Sequence, residues 1–254
     1  MILIKEEKSS FIPGFHGVRE CLNHDKIGIK ELWIADGKKS SRIEEILSIA
    51  REREVPVLFK NITEISRRFP DFAHQGIVAL AQGFSYANLE QVIHLALQSE
   101  GQALLIALDH ITDEGNLGAL IRTAAFFGAH GIIIPKDRSA SVTAKVLKRS
   151  SGAHLFLPIT RVVNIGRTLD LLKNKKFWVI GASGESRDSI YRFDWQRDLV
   201  LVLGNEQRGL SRAVKKRCHQ VVAIPPWGHV ESLNVSVACG AILSEMLRQR
   251  RSYL

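Results

Sequence analysis

The amino-acid sequence predicts an α/β chain in two parts, and three observations carry that prediction. Helical and strand patterns alternate almost without interruption from Phe15 to Arg250. Strand candidates in the second part, such as ALLIAL at 103–108 and DLVLVLG at 198–204, are nearly continuous apolar runs. A parallel sheet covered on both faces requires such runs. Charge also changes character along the chain. Residues 1–100 hold 13 Lys/Arg against 14 Asp/Glu, whereas residues 101–254 hold 22 against 12. The whole +9 excess therefore sits in the second part, where it would attract a polyanion, most commonly nucleic acid.

In chain order, residues 1–10 are expected to be frayed. A helix follows at 15–22, then a strand at 31–35 (ELWIA). Ser40 and Ser41 can cap a helix over 42–53, whose Ile43, Ile46, Leu47 and Ala50 recur at helical spacing. A strand at 56–59, a helix at 62–69 and a strand at 76–81 complete a small α/β domain. Residues 82–88 read as a connector and 89–97 as a helix leading onward. Further strands are expected at 103–107, 131–134, 177–180, 199–203 and 220–224. Helices are expected near 117–127, 142–148, 163–172, 211–217 and 233–250. The resulting division is a small domain at 1–83, a linker at 84–98 and a larger domain at 99–254.

Composition narrows the class. Hydrophobic residues make up 45% and mean hydropathy is near zero, which describes a soluble globular chain. No apolar run approaches the roughly 18 residues of a membrane span, and MILIKEEKSS lacks the regions of a signal peptide. Cys21, Cys218 and Cys239 are scattered and suggest neither disulfides nor a zinc site. No metal is expected, and a cytoplasmic location fits the cysteines.

Ligands of open α/β sheets bind beyond the carboxyl ends of strands, so three loops matter most. The first is LDHITDEGNLGALIRTA, where Gly115 and Gly118 allow close backbone approach and Arg122 follows on a helix. The second is GNEQRGLS, with Glu206 between Gly204 and Gly209. The third is IPPWGHVESLNVSVACGAIL, with a helix expected to open near Ser232. Its Ala238, Cys239, Gly240 and Ala241 suggest a close neighbour, because so many small residues cost helix propensity. Familiar signatures fail: there is no GxGxxG, GNEQRG lacks the P-loop Lys, and GASGE is no nucleophile elbow.

Together NLGALIRTA, LVLGNEQRGLS and IPPWGHVESLNVSVACGAIL resemble motifs 1, 2 and 3 of the SpoU/TrmH branch of the SPOUT superfamily, the RNA ribose 2′-O-methyltransferases. The resemblance covers roughly residues 103–250. FHGVREC and HQGIVAL look like the small RNA-binding domain of one subgroup. The resemblance implies a SPOUT-type parallel sheet with a C-terminal trefoil knot, preceded by the small α/β domain. It implies S-adenosylmethionine as methyl donor, with Gly204, Ile224 and Leu233 matching its binders. It implies a homodimer whose sites are completed by the partner subunit. Arg122 becomes the central catalytic residue, activating the 2′-hydroxyl or holding its phosphate. Glu206 would orient Arg122 or another cation, and Asn116, Ser232 and Asn234 would bind RNA or fix the loop. His16 and Arg19 are the RNA-binding candidates of the small domain. The substrate expected is large-subunit ribosomal RNA at a guanosine, with transfer RNA and a non-catalytic RNA-binding role as alternatives. Two departures stand out: Glu114-Gly115 where the family usually has Pro before the motif 1 Asn, and Pro226-Trp227 where Met is common after Ile224-Pro225.

Overall fold

The computed structural model describes residues 10–24, 27–70, 73–81, 83–229 and 232–251. Of the start expected to be frayed, residues 1–9 lie outside the described residues; Ser10 opens a strand. The chain divides into two compact units, 1–85 and 86–254.

Among the described residues, the first unit is a four-stranded sheet with three helices: β1 (Ser10–Pro13), α1 (Phe15–Leu22), β2 (Ile29–Ala35), α2 (Ser41–Glu52), β3 (Val57–Lys60), α3 (Ile62–Arg68) and β4 (Ile77–Ala81). Strand order is β1-β4-β2-β3, with β2 and β3 parallel and the other pairs antiparallel. Ser40 caps α2 by accepting from the Ile43 amide, leaving Ile43, Ile46 and Ala50 on the buried face. Arg53 donates to the carbonyls of Cys21, Leu22, His24 and Ile27. The orphan acceptors past α1 are thereby satisfied by one side chain. Phe69 packs against both Phe11 and Trp33, with ring centroids at 4.8 and 5.6 Å.

The second unit contains α4 (Leu89–Leu97), β5 (Leu104–Asp109), α5 (Glu114–Phe126), β6 (Gly131–Pro135), α6 (Ala144–Arg149), β7 (Ile159–Val162), α7 (Ile165–Asn174), β8 (Trp178–Ala182), β9 (Leu199–Gly204), α8 (Arg212–Lys215), β10 (Gln220–Val222) and α9 (Val235–Arg251). Its six strands run in the order β10-β8-β9-β5-β6-β7, and every pair is parallel. All of β5 and β6 is buried, as the apolar runs anticipate. Of the segment expected as a linker, residues 86–98 fall in this unit and include α4. Ala87 bridges to Thr160, and α4 buries Val92, Ile93 and Ala96 in the main core.

Several boundaries differ from the sequence expectation, each for a local reason. The helix carrying Arg122 starts at Glu114 rather than near Leu117, so Gly115 and Asn116 join Gly118 in its first turns rather than lying in a loop. Asp113 caps it, its carboxylate accepting from the Asn116 amide at 2.7 Å. The last helix starts at Val235 instead of near Ser232, because Asn234 is the residue whose side chain accepts from the Ser236 amide. Gly240 is not pressed by a neighbour: a Cβ there would sit 3.7 Å from Thr123, an ordinary contact.

Candidate active site

The three loops leave the carboxyl ends of β5, β9 and β10, and polar groups, among them the buried Asp109, hold two of them together. Asp109, the last residue of β5, is buried and accepts hydrogen bonds from the Ser211 amide and the His110 ring, both at 2.7 Å. Asn205 donates to the His110 carbonyl at 2.8 Å, while its Oδ1 accepts from the amides of Gln207 and Arg208. Gly209, with φ of +61°, closes that turn. Gly204 is where the turn folds back on the strand: a Cβ there would lie 2.3 Å from the Gly209 carbonyl carbon. Neither Asp109 nor Asn205 was singled out by sequence reasoning. The signals were an Asp closing an apolar strand and an Asn opening the turn before Glu206.

A chain of side-chain amides then joins the three motifs. Asn116 Nδ2 donates to Glu206 Oε1 at 2.7 Å, and Asn116 Oδ1 accepts from Asn234 Nδ2 at 2.9 Å. Asn234 Oδ1 in turn accepts from the Ser236 amide at 2.9 Å and hydroxyl at 2.6 Å. Each amide uses both its donor and its acceptor end, so the orientation of every link is fixed by the next. Glu206 thus takes Asn116 as its partner, where an arginine had been one expectation. Glu114 is also occupied, accepting from Thr143 at 2.9 Å and lying 3.7 Å from Lys145. It ties the start of α5 to α6.

Beside this relay lies a cavity of about 480 Å³, within the range of small-molecule sites. Gly204, Ile224 and Leu233 all line it, as do Glu206 and Ser232. Leu203, Val222 and Ile242 give it an apolar floor, and its walls include the main chain of Gly184, Gly209 and Gly228. Such a site suits a ligand with an apolar body, many hydrogen-bonding atoms and a positive centre near the Glu206 carboxylate. Trp227 stands at its rim, fully exposed. Arg122, Asn116 and Asn234 are not among the lining residues. Arg122 is exposed and donates to the Ser151 hydroxyl at 3.2 Å. His16 and Arg19 belong to the first unit, where they line a polar hollow with Glu20, Asn23 and His24. Arg19 there pairs with Glu45 at 3.4 Å.

The family profile described as "SpoU rRNA Methylase family" matches residues 103–244, which hold the relay and the cavity. The chain belongs to the SpoU rRNA methylase family. A second profile, "RNA 2'-O ribose methyltransferase substrate binding", matches residues 11–87. A Pseudomonas aeruginosa protein named 23S rRNA (guanosine-2′-O-)-methyltransferase RlmB is 38% identical over 239 residues, covering 94% of this chain and 96% of its own. A protein of the same name from Ralstonia nicotianae is 38% identical, with 96% and 97% covered. Among solved structures, the SpoU methyltransferase AviRb from Streptomyces viridochromogenes in complex with AdoMet is similar, with a TM-score of 0.73 and 26% identity. That match covers 95% of this chain and 90% of the other. The SpoU fold is thus matched over both units.

Proposed function

We propose that this SpoU-family chain transfers a methyl group from S-adenosylmethionine to a ribose 2′-hydroxyl of large-subunit ribosomal RNA, at a guanosine. The observation that carries the reading is the relay Glu206–Asn116–Asn234, which locks the three motif segments around a cavity of cofactor size. The ribosomal substrate is supported by relatives of that name that match nearly the full chain.

S-adenosylmethionine supplies a methyl group activated on a sulfonium. Gly204, Ile224 and Leu233 would hold the molecule through main-chain groups and apolar contact, and Glu206 favours the positive sulfur. Ser232, on the cavity wall, contacts the RNA or fixes the loop. Arg122 has no carboxylate partner among the described residues, so its full charge is available to the phosphate beside the target ribose. Guanidinium stays protonated and presents a rigid donor fork. Its role is therefore to fix the hydroxyl oxygen in line with the methyl group and to stabilise developing negative charge.

The first unit selects the RNA, with His16 and Arg19 at its polar hollow as contact residues, while the basic second unit supplies most of the phosphate attraction. The C-terminal segment forms a trefoil knot, and the protein acts as a cytoplasmic homodimer. Arg122 stands apart from the cavity lining of its own chain. Phe126 and Val237 expose apolar surface on α5 and α9, a face on which a second copy would pack, bringing its Arg122 to the site.

The test is methyl transfer from labelled S-adenosylmethionine to ribosomal RNA and to bulk transfer RNA, for wild type and Arg122→Ala. Label at a 2′-O position of ribosomal RNA, lost in the variant, is expected. Label confined to transfer RNA would overturn the substrate. Sedimentation as a monomer at micromolar concentration would overturn the shared site.

A further inference from the structure

Arg122 is held from an unexpected direction, by a backbone-constrained turn after α6. Ser151 lies there with φ of +51°, in the left-handed region, followed by Gly152 at +87°. Its neighbour Ser150 is fully buried and gives its hydroxyl proton to the Leu147 carbonyl at 2.9 Å. Ser150 Oγ also lies 2.9 Å from Nδ1 of the buried His154. With the hydroxyl proton already committed, His154 Nδ1 is the donor of that bond. A short 3-10 turn, Ala153–Leu155, then packs against α5.

The approach of this turn to α5 is set by Gly118. A Cβ at Gly118 would fall 2.5 Å from the Arg149 Cβ and 3.0 Å from the Val146 carbonyl oxygen. Glycine at 118 therefore lets the end of α6 come alongside α5 at backbone distance. Gly118 and Arg122 are four residues apart and share a helix face. The same close approach thus delivers the Ser151 hydroxyl to the Arg122 Nη1, at 3.2 Å.

We propose that Ser151 is the positioning residue for Arg122, its hydroxyl fixing the guanidinium from a turn anchored by the buried Ser150–His154 pair. This rests on the reading of Arg122 as the central residue of methyl transfer. A glycine at 151 would occupy the left-handed region without strain, so the hydroxyl is the feature that a serine adds there. A long side chain held at one end keeps fewer rotamers to lose when substrate arrives.

The test compares Ser151→Ala, Ser151→Gly and Ser151→Asn with Arg122→Ala in the full chain, on ribosomal RNA with labelled S-adenosylmethionine. Ser151→Ala is expected to lower kcat about tenfold, the scale of a hydrogen bond to a charged group, with the KM for S-adenosylmethionine unchanged. Ser151→Gly should lower kcat equally while its melting temperature holds or rises, a pairing that a purely structural serine cannot produce. Ser151→Asn, which tolerates positive φ and offers an acceptor, should recover part of the rate. In an Arg122→Ala background the Ser151 changes should have no further effect. Wild-type kcat for Ser151→Ala and Ser151→Gly, beside an inactive Arg122→Ala, would overturn the role of Ser151 alone. Full activity in Arg122→Ala would overturn the reading of Arg122, and the positioning role with it.

Discussion

Asn116→Asp is a one-atom change that reverses the polarity of a single link in the relay. In the wild-type protein Asn116 Nδ2 donates to Glu206 Oε1 at 2.7 Å. In the variant two carboxylate oxygens would meet at that distance and must separate. The loss of a hydrogen bond to a charged acceptor is worth about 1.5–3 kcal/mol. Repulsion between two unit charges about 4 Å apart adds about 1 kcal/mol in a water-like medium, the appropriate limit because the pair is exposed. The sum, about 3 kcal/mol, corresponds to a fall of about a hundredfold in kcat/KM, with the repulsive part eased by salt. Glu206→Gln in the same chain should restore the part lost through the relay, leaving the loss of the Glu206 charge at the cofactor as the remainder. The amide introduced at position 206 would donate to one oxygen of the carboxylate introduced at position 116, while the other oxygen still accepts from Asn234. The relay then keeps its topology with one link inverted. Methyl transfer and cofactor titration on the two single variants and the double variant measure the coupling. A double variant no better than the product of the singles would refute the relay as the device that holds the site.

Gly204→Ala should cost about 1–3 kcal/mol of stability, since its Cβ meets main chain rather than a movable side chain. Calorimetric titration should show cofactor affinity reduced more than about tenfold; unchanged affinity would count against the cavity as the cofactor site. Burial pushes the His154 imidazole from 6.5 down to about 4, so between those values the unfolded chain binds a proton that the native one refuses. Stability from this group is intact above pH 6.5 and falls by about 3 kcal/mol as pH drops to about 4. Urea denaturation at about pH 7 and about pH 4.5 should show a smaller loss for His154→Gln than for wild type; equal losses would contradict it. Trp227→Ala should leave stability within about 0.5 kcal/mol, because the side chain is fully exposed. It should weaken RNA binding about tenfold, the value of one base stacked on an indole, and fluorescence titration with RNA checks this.

Helices with an amphipathic face were legible in the sequence, with or without a capping side chain. The helix at 89–97 coincides with α4, capped by Asn88 over the buried Val92, Ile93 and Ala96, and the helix at 15–22 coincides with α1. The strands missed, β1 and β7, are four-residue segments at sheet edges. The helix was expected from about 117, yet the Asp113 cap starts it before Gly115. Gly118 does permit a close approach, to the end of α6. For the site, residue types were legible but partnerships were not. Whether Glu206 meets Asn116 or Arg122 depends on how segments 90 residues apart are brought together, which no local pattern encodes.

The bonds that define the site span 90, 118, 95 and 102 residues of sequence. Their loop-closure entropy must be met before they return any stability. Asn234, the last link, is made only after β5, β9 and β10 have all been synthesised. A growing chain therefore carries no complete relay until the segment that opens α9 has been made.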